Sequence, residues 1–237
     1  QSGTTGRSGY QPACGNEWAD GLCDKRKYKC SDCPNRQLLP LTDRDIFAHL
    51  SGKDSLARDV IGTYPMLPDE TCCFLCADFD DDCYKQDIIA FCDMCDEYSI
   101  PVSIERSRSG NGAHAWIFFK EPVSAAIARK LGSGILSHAM EKRSEIAFAS
   151  YDRFLPNQDT MPNGGFGNLI AFPLQGLSRK NDNSVFVDRN FVSYHDQWSY
   201  LNTVKKLDQE STSSLAAELS AHGELGTLVS DSEEKPW

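Results

Sequence analysis

The 237-residue sequence has no apolar run approaching the ~18 residues of a membrane span, and no short apolar segment behind a basic start. A soluble, unexported, cytoplasmic chain is therefore expected, with no membrane partner. There is no glycine period, which excludes a collagen-like chain, and no internal repeat. No cysteine occurs beyond Cys95. A basic excess is also missing: 34 acids face 24 Lys and Arg, for a net charge of −10. Taken alone, that argues against a nonspecific nucleic-acid binder, which is usually basic. The chain opens on Gln1, not Met, as expected of an excised fragment or a cloning remnant.

What is present is enough for a core, with 40% apolar and 10% aromatic residues. At ~150 residues per domain, the length fits one large domain or one domain with a small appendage. Charge is uneven. Residues 69–98 hold ten acids and one Lys, and residues 103–144 hold seven Lys/Arg and three acids. An acidic spot beside a basic stretch is what a metal site handling a polyanion needs. The ten cysteines fall in two groups, four at 14–33 and six at 72–95.

Residues 1–13 read as a frayed lead and 14–40 as a cysteine module without a core of its own. A catalytic domain follows over 41–207, then a weak helix and disordered acidic tail over 208–237. Thr42 caps a short helix that Gly52 ends. Val60–Tyr64 and Thr71–Asp80 read as strands. Asp81 or Asp82 caps a helix over 83–98, with Ile88, Phe91, Cys92 and Cys95 on one face. Strands over 102–105 and 113–119 flank a tight turn at Ser109–Gly112. On the second strand His114, Trp116 and Phe118 share one face. A helix over 124–140 breaks at Gly132–Gly134, and Asn163-Gly164-Gly165 is another turn. Strands at 168–174 and 184–187 and a helix over 194–207 complete the domain. This order predicts an α+β fold, an antiparallel sheet covered by helices.

Cys14, Cys23, Cys30 and Cys33 are spaced C-x8-C-x6-C-x2-C. Four thiolates suit one structural Zn²⁺, whose binding would supply the folding energy the segment lacks. Cys73-x2-Cys76 and Cys92-x2-Cys95 also fit a zinc-ribbon spacing. A buried strand and an apolar helix face already account for those four, so a second zinc site is rejected. Asp78 and Asp80, two apart at a strand end, point to the same face. Such a pair suits Mg²⁺ or Mn²⁺, though capping of the next helix would also explain acids there. Arg106-Ser107-Arg108-Ser109-Gly110-Asn111-Gly112-Ala113-His114 is a basic, Gly-rich turn suited to phosphate oxygens.

Three stretches carry a resemblance: Asp78-Phe79-Asp80; Glu105 to Phe119; and Phe154 to Asp159 with Gly165 to Gln175. Together they resemble archaeo-eukaryotic primases, in particular the primase-polymerase branch found in TOTE conflict systems and beside CRISPR loci. The resemblance covers about residues 12–205. It implies a DNA primase or polymerase with an RRM-like catalytic sheet, working by two-metal nucleotidyl transfer on nucleoside triphosphates. Asp78 and Asp80 match the first acidic motif, and His114 matches the histidine that contacts the triphosphate. Asp159 is expected as the third acid. Asp152 is the alternative, and it could simply pair with Arg153. Gly112 stands where the family often has Ser, with Ser109 or turn N–H groups as substitutes, and Asn111 and Gly112 of the same turn are expected nucleotide contacts. Arg106, Arg108, Arg179 and Lys180 are expected phosphate or template contacts. Implied partners are a single-stranded DNA template and primer, with helicase, nuclease or CRISPR proteins fused or associated. A metal-dependent nuclease and a noncatalytic zinc-containing nucleic-acid-binding module are the rival readings.

Overall fold

The apolar run from Cys72 to Ala77, followed by Asp78-Phe79-Asp80, makes a long, largely buried strand, and the rest of the sheet forms around it. A computed structural model describes residues 13–54, 59–80, 82–143, 149–161 and 167–221. In chain order the elements are α1 (Asp43–Ser51), β1 (Gly62–Thr63), β2 (Thr71–Asp80), α2 (Tyr84–Glu97), β3 (Ser103–Arg106), β4 (Gly112–Ser124), α3 (Ala125–Lys142), β5 (Tyr151–Leu155), β6 (Ile170–Ala171), α4 (Gly176–Arg179), β7 (Val185–Val187), α5 (Gln197–Thr203) and α6 (Gln209–Ala221). β5-β2-β4-β3-β7 form one antiparallel sheet, and β1 pairs with β6 in a second, two-stranded one. From β2 to β5 the order is β-α-β-β-α-β, so the expected α+β class holds.

One face of the sheet is sealed by helices. Phe79 packs edge-on to Phe91 of α2 at 5.8 Å, and Leu75 lies under Gly132 of α3. The other face carries Phe74, Trp116 and Phe118, with ring centroids 5.1 and 5.9 Å apart.

Several elements differ from expectation. α3 does not break at its glycines. A Cβ on Gly132 would stand 2.8 Å from Leu75 and Phe154, and one on Gly134 would stand 2.6 Å from Leu219 Cβ. The glycines are places where neighbours approach the helix closely. The expected weak helix after 208 is the well-packed α6, which buries Thr212, Ala216 and Leu219 and packs against α3. The helix over 194–207 contracts to α5, capped by Asp196. Leu207 lies past its end and bridges to Phe119. Only residues 62–63 and 170–171 of the two longer expected strands pair. Thr42 caps α1 in a capping box with Asp45, and Gly52 ends it at φ 56°. α2 starts with Cys83 at its cap position and no side-chain capping bond. Asp81 and the Asn163–Gly165 turn lie outside the described residues, as do most of the expected lead and the end of the expected tail.

Candidate metal centre

Strand register lines up one polar row across the open face. Asp78 of β2 pairs with Arg153 of β5 on one side and His114 of β4 on the other, and His114 pairs with Glu105 of β3. Asp80, two residues on, shares the face of Asp78 and pairs with Gly112. A Cβ at Gly112 would lie 2.2 Å from Asp80 Oδ1 and 2.6 Å from the Phe79 carbonyl oxygen. Glycine at this position leaves room for the Asp80 carboxylate and the Phe79 carbonyl.

The third carboxylate comes from a bulge. β5 pairs Arg153 with Asp78 and Tyr151 with Phe79, leaving Asp152 as the extra residue. A bulge of this kind re-aims a side chain, and here it brings Asp152 to Asp78 and Asp80. Their carboxylate oxygens lie within 4.8 Å of one another. Among the described residues no other group of three or more Asp, Glu, His or Cys ligand atoms is so close. Like charges this near repel, and a hard cation relieves the repulsion. Arg153 Nε also donates to Asp152 Oδ2 at 2.6 Å. Asp159, expected in this place, lies apart and is ion-paired with Arg129 of α3.

Buried groups hold the site in place. The Asp80 N–H donates to the Ser150 carbonyl at 2.8 Å. Ser150 donates its N–H (3.2 Å) and hydroxyl (2.6 Å) to Asp87 of α2, which is 2% exposed. Glu105, also 2% exposed, accepts from Trp116 Nε1 at 3.0 Å and lies 2.8 Å from His114 Nδ1. His114 Nε2 lies 3.3 Å from Asp78 Oδ1. Burial alone would lower the His114 pKa, but Glu105 and Asp78, facing the two ring nitrogens, outweigh it and push it up to about 10. The ring is therefore an imidazolium at neutral pH. Sequence reasoning missed Glu105, Asp87 and Ser150. Only Glu105 left a signal, since strand alternation puts it level with His114.

The expected phosphate contacts divide. Arg106 is a clamp: its guanidinium donates to the carboxylate of Asp182 at 2.6 Å and to the Phe191 carbonyl. Arg179 ties α4 to α1 through the Leu50 carbonyl at 2.7 Å. Arg108, Ser109, Asn111 and Lys180 are exposed. Ser109 Oγ accepts the Asn111 N–H at 3.2 Å, and Gly110 (φ 83°) fits closely against Asn183. The turn of Arg108 thus touches the segment after α4 that begins with Lys180.

Cys14, Cys23, Cys30 and Cys33 line one cavity of about 30 Å³, and Cys14 Sγ accepts the Gln37 N–H at 3.3 Å. Of the other six cysteines, Cys72, Cys76, Cys92 and Cys95 are buried, and Cys73 and Cys83 are exposed. Burial pushes the Cys72 thiol up to about 12 and those of Cys76 and Cys95 well above the usual range. These are protonated core thiols.

A family model for archaeo-eukaryotic primase domains matches residues 1–215. The family is the one found in the TOTE conflict system, and this chain belongs to it. Membership points to nucleotidyl transfer of the primase type, with divalent metal. No curated protein matches the chain closely enough to count as a relative. Among the described residues, no helix is long and apolar enough to cross a membrane.

Proposed function

We propose that the chain is a template-directed nucleotidyl transferase, a DNA primase or polymerase, and that Asp78, Asp80 and Asp152 hold its Mg²⁺ or Mn²⁺ ions. The observation that carries this reading is the convergence of three carboxylates within 4.8 Å on the open face of the sheet. Two such ions, when bound, activate a 3′-hydroxyl and neutralise charge at the α-phosphate and the leaving pyrophosphate. The rest falls to side chains of the protein. Glu105 orients His114 and keeps it charged, so that its imidazolium faces triphosphate oxygens beside the acids. Arg108 and Lys180, both exposed, extend that positive surface. Arg106 and Arg179 support it from behind as clamps.

A structural zinc is supported by the C-x8-C-x6-C-x2-C spacing and by the one small cavity the four cysteines line; no three of their sulfurs lie within 4.8 Å of one another, so binding would draw them together. Such a set leaves no coordination position for substrate, so the zinc serves folding.

The test is a primer-free reaction on single-stranded DNA with labelled ribo- and deoxyribonucleotides and Mn²⁺. Products longer than one nucleotide are expected, and Asp78→Asn abolishes them. Shortened template in place of new product would make the chain a nuclease. Strand binding without either outcome would make it a noncatalytic binding module.

A further inference from the structure

Away from the acids, the cysteine module presents aromatic rings and cations to solvent. Trp18 is 75% exposed and sits at φ 63°, a left-handed conformation that a bulky residue keeps only when its surroundings impose it. Lys25 Nζ lies 4.1 Å from the centre of its ring and is held there by Glu17 at 2.6 Å. Tyr28 is 40% exposed, with Lys27 Nζ 5.2 Å from its ring centre. Residues 25–29 contain four cations and no acid, in a chain of net charge −10. Asp24, which heads this run, accepts the N–H groups of Arg26 and Lys27 at 3.1 and 3.2 Å, so the turn engages its carboxylate. Among the described residues, Arg26, Lys27 and Lys29 make no ion pair, and all three are exposed.

Each ring has an ammonium over one face and offers the other face to a base, with the cation near the phosphate that follows it. Every base has a face to stack, so such a platform tolerates any sequence, while a duplex keeps its base faces hidden. Residues 25–29 concentrate four cations on one turn, between Asp24 and Asp32, which favours a polyanion over an apolar protein partner.

We propose that this surface grips single-stranded nucleic acid, with bases stacking on Trp18 and Tyr28 while Arg26, Lys27 and Lys29 contact phosphates. The choice of ligand rests on the nucleotidyl-transfer reading, but the grip itself does not involve the acidic centre.

Fluorescence anisotropy of labelled oligo-dT, oligo-rU and a duplex tests this on the full chain as purified, without nucleotide and over a range of NaCl. The Trp18→Ala/Tyr28→Ala protein is expected to bind single strands at least about tenfold more weakly, and Trp18→Phe to stay within about threefold. Lys27→Ala/Lys29→Ala should make the log–log salt dependence shallower by about 0.7 per lost contact. Melting temperatures within a few degrees of wild type establish that these variants are folded. Unchanged single-strand affinity in a folded Trp18→Ala/Tyr28→Ala protein overturns the proposal, as does an equal loss on duplex. Absence of strand binding by wild type also overturns it and leaves the patch to a protein partner. Binding that keeps its Trp18 dependence in a chain that never extends nucleotides would sink the enzymatic reading and leave the grip standing.

Discussion

Gly112 lets the Asp80 carboxylate lie against the strand ladder. Gly112→Ala puts a Cβ 2.6 Å from the Phe79 carbonyl oxygen, a backbone atom that cannot swing away. Mn²⁺ affinity, read by titration of the free-ion paramagnetic signal, should fall at least about tenfold, or about 1.4 kcal/mol. Asp152→Asn should lower nucleotide incorporation at least about a hundredfold, or ~2.7 kcal/mol, as should Asp78→Asn. Asp159→Asn, which breaks only an exposed pair with Arg129, should keep most activity. An inactive Asp159→Asn beside an active Asp152→Asn would reverse the assignment. His114 yields a pH prediction for the metal-free protein. Its folded pKa of about 10 stands above the ordinary histidine value of 6.5. The imidazolium therefore stabilises the fold fully below about pH 6.5, and that contribution is lost as pH rises through about 10. The His114 ring-proton NMR shift should stay at its imidazolium position through pH 8.

At the scale of elements, the third ligand depends on one inserted residue. Strand periodicity made Asp78, Asp80 and the His114 face legible in the sequence, because β2 and β4 keep strict alternation there. Asp152 was legible only as the alternative to Asp159, because the bulge that brings it to Asp78 is a property of the β2–β5 register, and β5 alone does not reveal it. α2 was readable from its apolar face. α6 was readable only as a weak helix, because its Ser- and Glu-rich sequence hides its packing until Gly134 of α3 is seen admitting Leu219. This contact gives a prediction opposite in sign to helix propensity. Gly134→Ala would ordinarily stabilise a helix by about 1 kcal/mol. Here the added Cβ meets Leu219 Cβ at 2.6 Å, so denaturant melts should show about 1–3 kcal/mol of destabilisation. A stabilised variant would mean that α6 does not pack as described.

Across the whole molecule, the net charge of −10 does not exclude a polyanion substrate, because charge is uneven: ten acids and one Lys lie in 69–98, and seven Lys/Arg and three acids in 103–144. The cysteine module should carry about one zinc per chain by elemental analysis, since structural sites bind with roughly 10 kcal/mol or more. Less than ~0.3 zinc in a chain whose module remains folded would remove zinc from the account. The Trp116–Glu105–His114–Asp78 chain has an optical consequence. Trp116 is 3% exposed, whereas Trp18 and Trp198 are 75% and 51% exposed. Acrylamide should therefore quench the outer indoles and spare Trp116. Because the Trp116 N–H rests on the same carboxylate that orients His114 against Asp78, its residual blue emission should change as the acids fill. A shift of that emission on Mg²⁺ titration, lost in Asp78→Asn, would make Trp116 a label-free gauge of metal at the three acids.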